Sequence, residues 1–376
     1  VIGTSMRLRL TRVGLRTLFG LPRTLKRLLA GRETRLEGQL LDLDLQLMNR
    51  LGQLLSSRGD EKLGEAALSA QRRQADDAAE LAAEGAFDDV VTRDLRIPGA
   101  DGVLDARLYV PPGLDRPSGL LVYFHGGGFV LGSIRSSDPL CRLLAAQAGV
   151  RLLSVDYRLA PEYPYPAALD DALAAYRYAL DQAESLGADP DLVAVGGDSA
   201  GANLALVVAH EQGSQPPQRP AFVVALYPVT DAERDGGSRV VFGAGFGLTA
   251  DYLRELERMY LPRGVPPEDT RGAIARAQDL SGMPPVYLST AGFDPLRDEG
   301  EELAERMRAA GVPVVSRRFA GMVHGYASLT AISAAAHDAT FDAASALRAG
   351  LALVGSHRAR LRDGRVRAAA GGSDAL

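Results

Sequence analysis

What most constrains this chain is a series of short, mostly apolar segments, each followed by a stretch of helical periodicity. Segments 119–125, 151–155, 192–196, 221–227, 285–290 and 312–318 read as strands. Between and after them, 137–148, 167–187, 200–211, 298–310 and 330–348 read as helices. A strand that lacks polar alternation needs cover on both faces, and strands alternating with helices of this length pair in parallel. The expectation is therefore an α/β fold with a mostly parallel central sheet flanked by helices. Its ligand site should lie beyond the C-terminal ends of the strands. Segments 90–97 and 104–110 read as a strand pair around the turn at 99–102. Two helical segments, 38–56 and 64–84, come before it, and the Gly/Pro-rich stretch 231–284 suits an excursion over the site.

Length alone suggests more than one domain, but no linker divides the body and no internal repeat is visible. The single cysteine, Cys141, excludes an internal disulfide and any multi-cysteine metal site. The net charge of −5 is unevenly spread: residues 1–36 carry +8 and 357–376 carry +3, which leaves −16 on the rest. An acidic body with basic ends does not fit a nucleic-acid-binding domain. No run of 18 uncharged apolar residues exists, so no membrane span is expected. Arg12, Arg16 and Arg23 interrupt every apolar stretch near the start, which argues against a secretory signal, and a cytoplasmic location is expected. Leu15, Leu18, Leu25 and Leu28 recur at helical spacing with arginines between them, broken by Pro22. Three readings of 1–36 stay open: a surface helix or frayed tail, a segment peripheral to a membrane, or a partner site. Residues 351–376 read as a flexible basic tail. The organisation is then 1–36 as an extension, 37–350 as one catalytic body, and 351–376 as the tail.

Gly197-Asp-Ser199-Ala-Gly201 stands between an apolar strand and a helix, the context required of a nucleophile elbow. The small flanking residues permit the strained turn, and the helix N-terminus offers its dipole to a developing oxyanion. Upstream, His125-Gly126-Gly127-Gly128-Phe129 ends a strand in three glycines, whose backbone N–H groups can converge with that of Ala200 on an oxyanion. This loop matches neither phosphate-binding glycine pattern. Of the five histidines, His210 and His337 fall inside helical segments and His357 near the end of the chain. His125 suits a loop anchor better than a base. His324, after the last strand and next to Gly325, is the remaining candidate base. Its carboxylate partner should lie between Ser199 and His324 in the chain. Asp294, at a strand end, is favoured over Asp298, which falls a turn into the next helix.

Together, His125-Gly-Gly-Gly-Phe129, Asp156-Tyr-Arg-Leu-Ala-Pro-Glu162, Gly197-Asp-Ser-Ala-Gly201, Asp294-Pro-Leu-Arg-Asp298 and His324-Gly-Tyr326 resemble the hormone-sensitive-lipase-like family of α/β-hydrolases over about residues 85–350. The resemblance implies an α/β-hydrolase fold with a helical cap, here about 38–84 and 231–275. It implies hydrolysis of carboxylic esters with Ser199 as nucleophile, His324 as base and Asp294 as its partner. It also implies an oxyanion hole from the glycines after His125, chiefly Gly127 and Gly128, plus Ala200. His125, Asp156 and Glu162 would support the loops, and neither a metal nor a cofactor is implied. Ala202 and Phe129 stand where the family commonly has Gly and Trp. The expected substrate is a short- to medium-chain acyl ester. The alternatives are an acylglycerol cleaved at a lipid interface and a non-catalytic binding protein on the same fold, as a monomer or a dimer.

Overall fold

The computed structural model describes residues 4–55, 65–82, 87–114, 117–213, 218–264, 266 and 269–371. Four helices open the chain: α1 (Thr4–Phe19), α2 (Arg23–Ala30), α3 (Leu43–Leu55) and α4 (Glu65–Ala82). A short hairpin of β1 (Arg35–Leu36) and β2 (Gln39–Leu40) lies between α2 and α3. The body then runs β3 (Val91–Pro98), β4 (Val103–Val110), β5 (Ser118–Phe124), α5 (Ile134–Ala148), β6 (Arg151–Val155), α6 (Ala167–Asp181), β7 (Ala188–Asp198), α7 (Ala200–Gly213) and β8 (Val223–Leu226). After α8 (Ser238–Val241) and α9 (Ala250–Tyr260) come β9 (Val286–Phe293), α10 (Arg297–Ala309), β10 (Val314–Val323) and α11 (Ala334–Gly371).

Eight strands form one sheet in the order β10-β9-β8-β7-β5-β6-β4-β3. The six from β10 to β6 are parallel, and the β3–β4 hairpin closes the edge antiparallel. Alternate residues of the central strands feed two cores. Leu120, Val122 and Phe124 of β5 join the α6, α7 and α10 side, while Leu121 and Tyr123 join the α5 and α11 side. Helix α7 is buried from Ala200 to Ala209 and apolar there apart from Asn203, as a helix packed between sheet and neighbouring helix must be. Strand order reverses around β5, whose neighbours are β6 and β7. The crevice there lies between the loops that follow β5 and β7.

The two ends depart from expectation. Residues 351–371 are not a tail but the continuation of α11, with Leu351 buried and Arg358 bonded to the Asp191 carbonyl (2.7 Å) and carboxylate (2.6 Å). The arginines that suggest a tail are good helix formers, and no proline interrupts the segment. At the other end α1 and α2 break around Pro22 as the spacing implies, but they do not stand apart from the body. Phe19 and Ala30 are buried with Leu43 and Leu47 of α3 and with Ile332, and Leu15 and Leu18 pack against them. The hairpin β1–β2, too short for periodicity to register, ties this layer to the sheet through Asp42 N–H on the Gly321 carbonyl (2.9 Å). Helices α8 and α9 fall within the expected second cap segment. Thr249 caps α9, accepting from the Tyr252 N–H (3.1 Å), and Leu253, Leu256 and Tyr260 form its buried stripe.

Candidate active site

Ser199 is the single residue between β7 and α7, and its backbone sits at φ 54°, in the left-handed region that costs a non-glycine residue strain. The surroundings over-determine that turn. The Ser199 N–H donates to the Leu226 carbonyl (2.8 Å). A Cβ at Gly201 would run into the Phe124 carbonyl, and one at Gly197 into Gly201 itself, so both positions demand glycine.

Three strand ends bring their side chains to this point. His324, just past β10, places Nε2 2.9 Å from Ser199 Oγ, and its Nδ1 lies 2.8 Å from Asp294 Oδ2. A carboxylate only accepts, so Nδ1 carries the proton and Nε2 is left to accept from the serine hydroxyl. Asp294, just past β9, is fully buried, and its Oδ1 accepts the Leu296 N–H (2.8 Å). Burial alone would hold the His324 pKa down. The Asp294 carboxylate, with Asp198 and Glu299 behind it, outweighs burial and leaves the imidazole above its ordinary value. Asp298, the competing carboxylate, accepts the Ser238 N–H at the start of α8 (2.9 Å).

The glycine loop lies opposite. Gly127 and Gly128 have φ of 121° and 62°, and among the described residues neither N–H has a partner. The same holds for the Ala200 N–H at the open first turn of α7. Gly126 differs from the expectation that it contributes a donor. Its N–H is committed to Asp198 Oδ1 (2.9 Å), which leaves Gly127, Gly128 and Ala200 as available donors. Asp198 Oδ1 also accepts the Tyr123 hydroxyl (2.5 Å). Burial raises the Asp198 pKa, against the two donors that favour its charge. This carboxylate therefore joins the serine turn to the glycine loop. No local sequence signal marks this role of Asp198, although a carboxylate at a buried turn has to find donors.

His125 is bound within the loop and to Tyr157. Its buried ring stacks on Tyr157 (centroids 4.3 Å apart), its Nδ1 bonds the Gly126 carbonyl (2.8 Å), and its own carbonyl accepts the Tyr157 hydroxyl (2.7 Å). Asp156 accepts the Ile134 N–H (3.1 Å) at the start of α5. Glu162 is held by Arg72 of α4, through two bonds of 2.8 Å that lower the Glu162 pKa. Arg72 also donates to the carbonyls of Val130 (2.9 Å) and Ala160 (3.0 Å). No sequence signal marks Arg72, which lies 58 to 90 residues from these partners. His210 and His337 are occupied elsewhere, on the Asp279 carbonyl and beside Phe341 respectively. Among the described residues no group of three or more His, Cys, Asp or Glu is placed to hold a metal ion, and no helix is long and apolar enough to cross a membrane.

Beside the glycine loop lies a largely apolar cavity of about 570 Å³, which includes Gly126, Gly127 and Asp198 in its wall. Elsewhere its wall comes from α1, α3, α4, the start of α5 with the residues just before it, and the segment after His324.

A family profile described as the alpha/beta hydrolase fold matches residues 121–328. The chain is 40% identical over 355 residues to the carboxylic ester hydrolase LipN of Mycobacterium tuberculosis, covering 91% of this chain and 92% of that protein. It is 40% identical over 265 residues to carboxylesterase NlhH of the same organism, covering 68% and 82%. Among solved structures, an ester hydrolase from the metagenome of Lake Arreo, in complex with a bipyridine phosphonate derivative, superposes with a TM-score of 0.77. It is 35% identical, over 82% of this chain and 98% of that one.

Proposed function

We propose that this chain, which belongs to the α/β-hydrolase family and is a carboxylic ester hydrolase, cleaves short- to medium-chain acyl esters through a Ser199–His324–Asp294 triad. Its motifs suit the hormone-sensitive-lipase-like branch of that family. The observation that carries the reading is the row of hydrogen bonds from Ser199 Oγ through His324 to the buried Asp294, together with three backbone N–H groups of the adjoining turns that have no partner among the described residues.

His324 takes the hydroxyl proton as Ser199 Oγ adds to the acyl carbonyl. Asp294 keeps the imidazole in the tautomer that can accept it and stabilises the imidazolium. The N–H groups of Gly127, Gly128 and Ala200 hold the oxyanion, where one such donor contributes about 3–4 kcal/mol. His324 then protonates the leaving alcohol. Water, activated by the same imidazole, releases the acid and restores the serine. Ser199→Ala tests the assignment: it abolishes p-nitrophenyl butyrate turnover and covalent labelling by an organophosphonate. Full activity or labelling in that variant removes the triad.

One observation supports a second setting for the same chemistry. Helix α2 turns Leu25, Leu28 and Leu29 outward, exposed at 47%, 77% and 45%, beside the exposed Arg23 and Arg32. Such a face suits an anionic membrane surface, with an acylglycerol as substrate. Sedimentation of the protein and of Leu28→Glu with phosphatidylglycerol vesicles tests this; equal, negligible binding by both leaves only the soluble-ester reading.

A further inference from the structure

The cavity beside the glycine loop is walled in part by α1, which lies outside both expected cap segments. Leu15 and Phe19 of α1 line it together with Met48 and Leu51 of α3. Helix α4 contributes Ala75, Ala78, Ala79 and Ala82. These alanines fall at spacings of 3, 4 and 7 and share one helical face. Larger side chains there would fill the space and close the core, as protein interiors ordinarily do. Instead about 570 Å³ stays open, within the range of small-ligand sites. The polar groups of the lining are His125, Asp198, Ser136 and Ser137 of α5, and Ser328, whereas the residues from α1, α3 and α4 are all aliphatic or aromatic.

We propose that this cavity receives an aliphatic chain of the ester, and that Leu15 and Phe19 of α1 set how long a chain fits. The inference rests on the ester-hydrolase site proposed above, because Gly126 and Gly127 belong both to the cavity wall and to the loop facing Ser199. It makes the first helix of the chain part of the substrate site rather than an appendage to it. The recognised chemistry is an unbranched, uncharged alkyl chain, carried by either the acyl or the alcohol half of the ester.

Two substrate series separate those halves: p-nitrophenyl esters of increasing acyl length, and acetates of increasing alcohol length. Each CH₂ that enters an apolar wall should raise kcat/KM about fourfold until the chain meets the end of the cavity. Phe19→Ala should move the break in the responsive series to longer chains, and Ala79→Leu should move it to shorter ones. Phe19→Leu serves as a milder second variant if the alanine variant folds poorly. Leu353→Ala, on the exposed outer face of α11, should leave the break where it is. A shift confined to the acyl series assigns the acyl chain to the cavity, and one confined to the acetates assigns the alcohol. If the break moves in neither series, the proposal is overturned. Titration of 1-decanol into Ser199→Ala keeps the test independent of catalysis. Binding that weakens with Ala79→Leu supports the cavity even if the triad assignment fails, and binding indifferent to Ala79 and Phe19 overturns it.

Discussion

Replacing Arg72 by Met separates the energetics of a surface ion pair from those of buried carbonyls. Arg72 donates four hydrogen bonds of two kinds. Two go to Glu162, whose side chain is half exposed (51%); solvent screening leaves such a pair worth about 0–1 kcal/mol. The other two go to the carbonyls of Val130 and Ala160, both buried residues. Bonds from a charged donor contribute about 1.5–3 kcal/mol each, and an abandoned buried acceptor loses that in full. The Arg72 side chain keeps 26% of its exposure, so water recovers part of the loss. Arg72→Met should therefore cost about 2–4 kcal/mol, whereas Glu162→Gln should cost less than about 1 kcal/mol. Arg72→Lys should recover little, because a point charge cannot reproduce the fork. Val130 directly follows the glycine loop, so kcat on p-nitrophenyl butyrate should fall roughly ten- to a hundredfold in Arg72→Met, with a smaller change in KM. Urea unfolding at constant m-value gives the stabilities. If Glu162→Gln loses as much stability as Arg72→Met, the carbonyl bonds are not what Arg72 supplies, and the reasoning fails.

Asp294→Asn removes the strongest charge raising the His324 pKa. Turnover requires neutral His324, so wild-type kcat/KM should fall as pH drops through that raised pKa. In the variant this limb should move to lower pH while kcat drops on the order of 10⁴-fold, as measured by pH–rate profiles. Gly201→Ala forces a Cβ into the Phe124 carbonyl and should cost about 3 kcal/mol or more, or prevent soluble expression; a normal melting temperature would contradict the contact. Glu299 is buried beside Arg239, and burial raises its pKa to about 7 from the ordinary 4.5. A raised folded pKa gives stability that is present below the unfolded value and lost as pH climbs through the folded one. Between pH 4.5 and 7, then, Glu299 should erode stability by up to about 1.4 kcal/mol per pH unit. The slope difference between wild type and Glu299→Gln in denaturant titrations checks it.

Much of the sheet was legible because strands buried on both faces leave continuous apolar runs, and β6 even has the expected limits, 151–155. The serine turn, the strand-end histidine and its carboxylate were legible because each is a local signal at a predictable place in such a sheet. The features that escaped are pairings between distant segments. Arg72 looks like any arginine of an amphipathic helix, and Tyr123 like any residue of an apolar strand. Nothing local says that Gly126 spends its N–H on Asp198 while Gly127 and Gly128 keep theirs. At the N-terminus the periodicity announced helices, but which face of α1 meets the body depends on the shape of α3 and α4.

The bond from Gly126 to Asp198, with Tyr123 alongside, bears on how portable this site is. The pentapeptide around Ser199 looks like a self-contained cassette, yet its second residue is a carboxylate that burial deprives of water. Transplanted alone into another strand–helix turn, it would arrive as a charge without donors and would destabilise its host. The unit that can be moved is larger: the end of β5 with Tyr123, the glycine loop, and the serine turn, taken together. Change within such a unit is coupled as well, since any substitution that shifts β5 against β7 displaces donor and acceptor at once. Redesign of this enzyme is better aimed at α1, α4 and α9, where side chains can vary while that shared hydrogen-bonded joint stays intact.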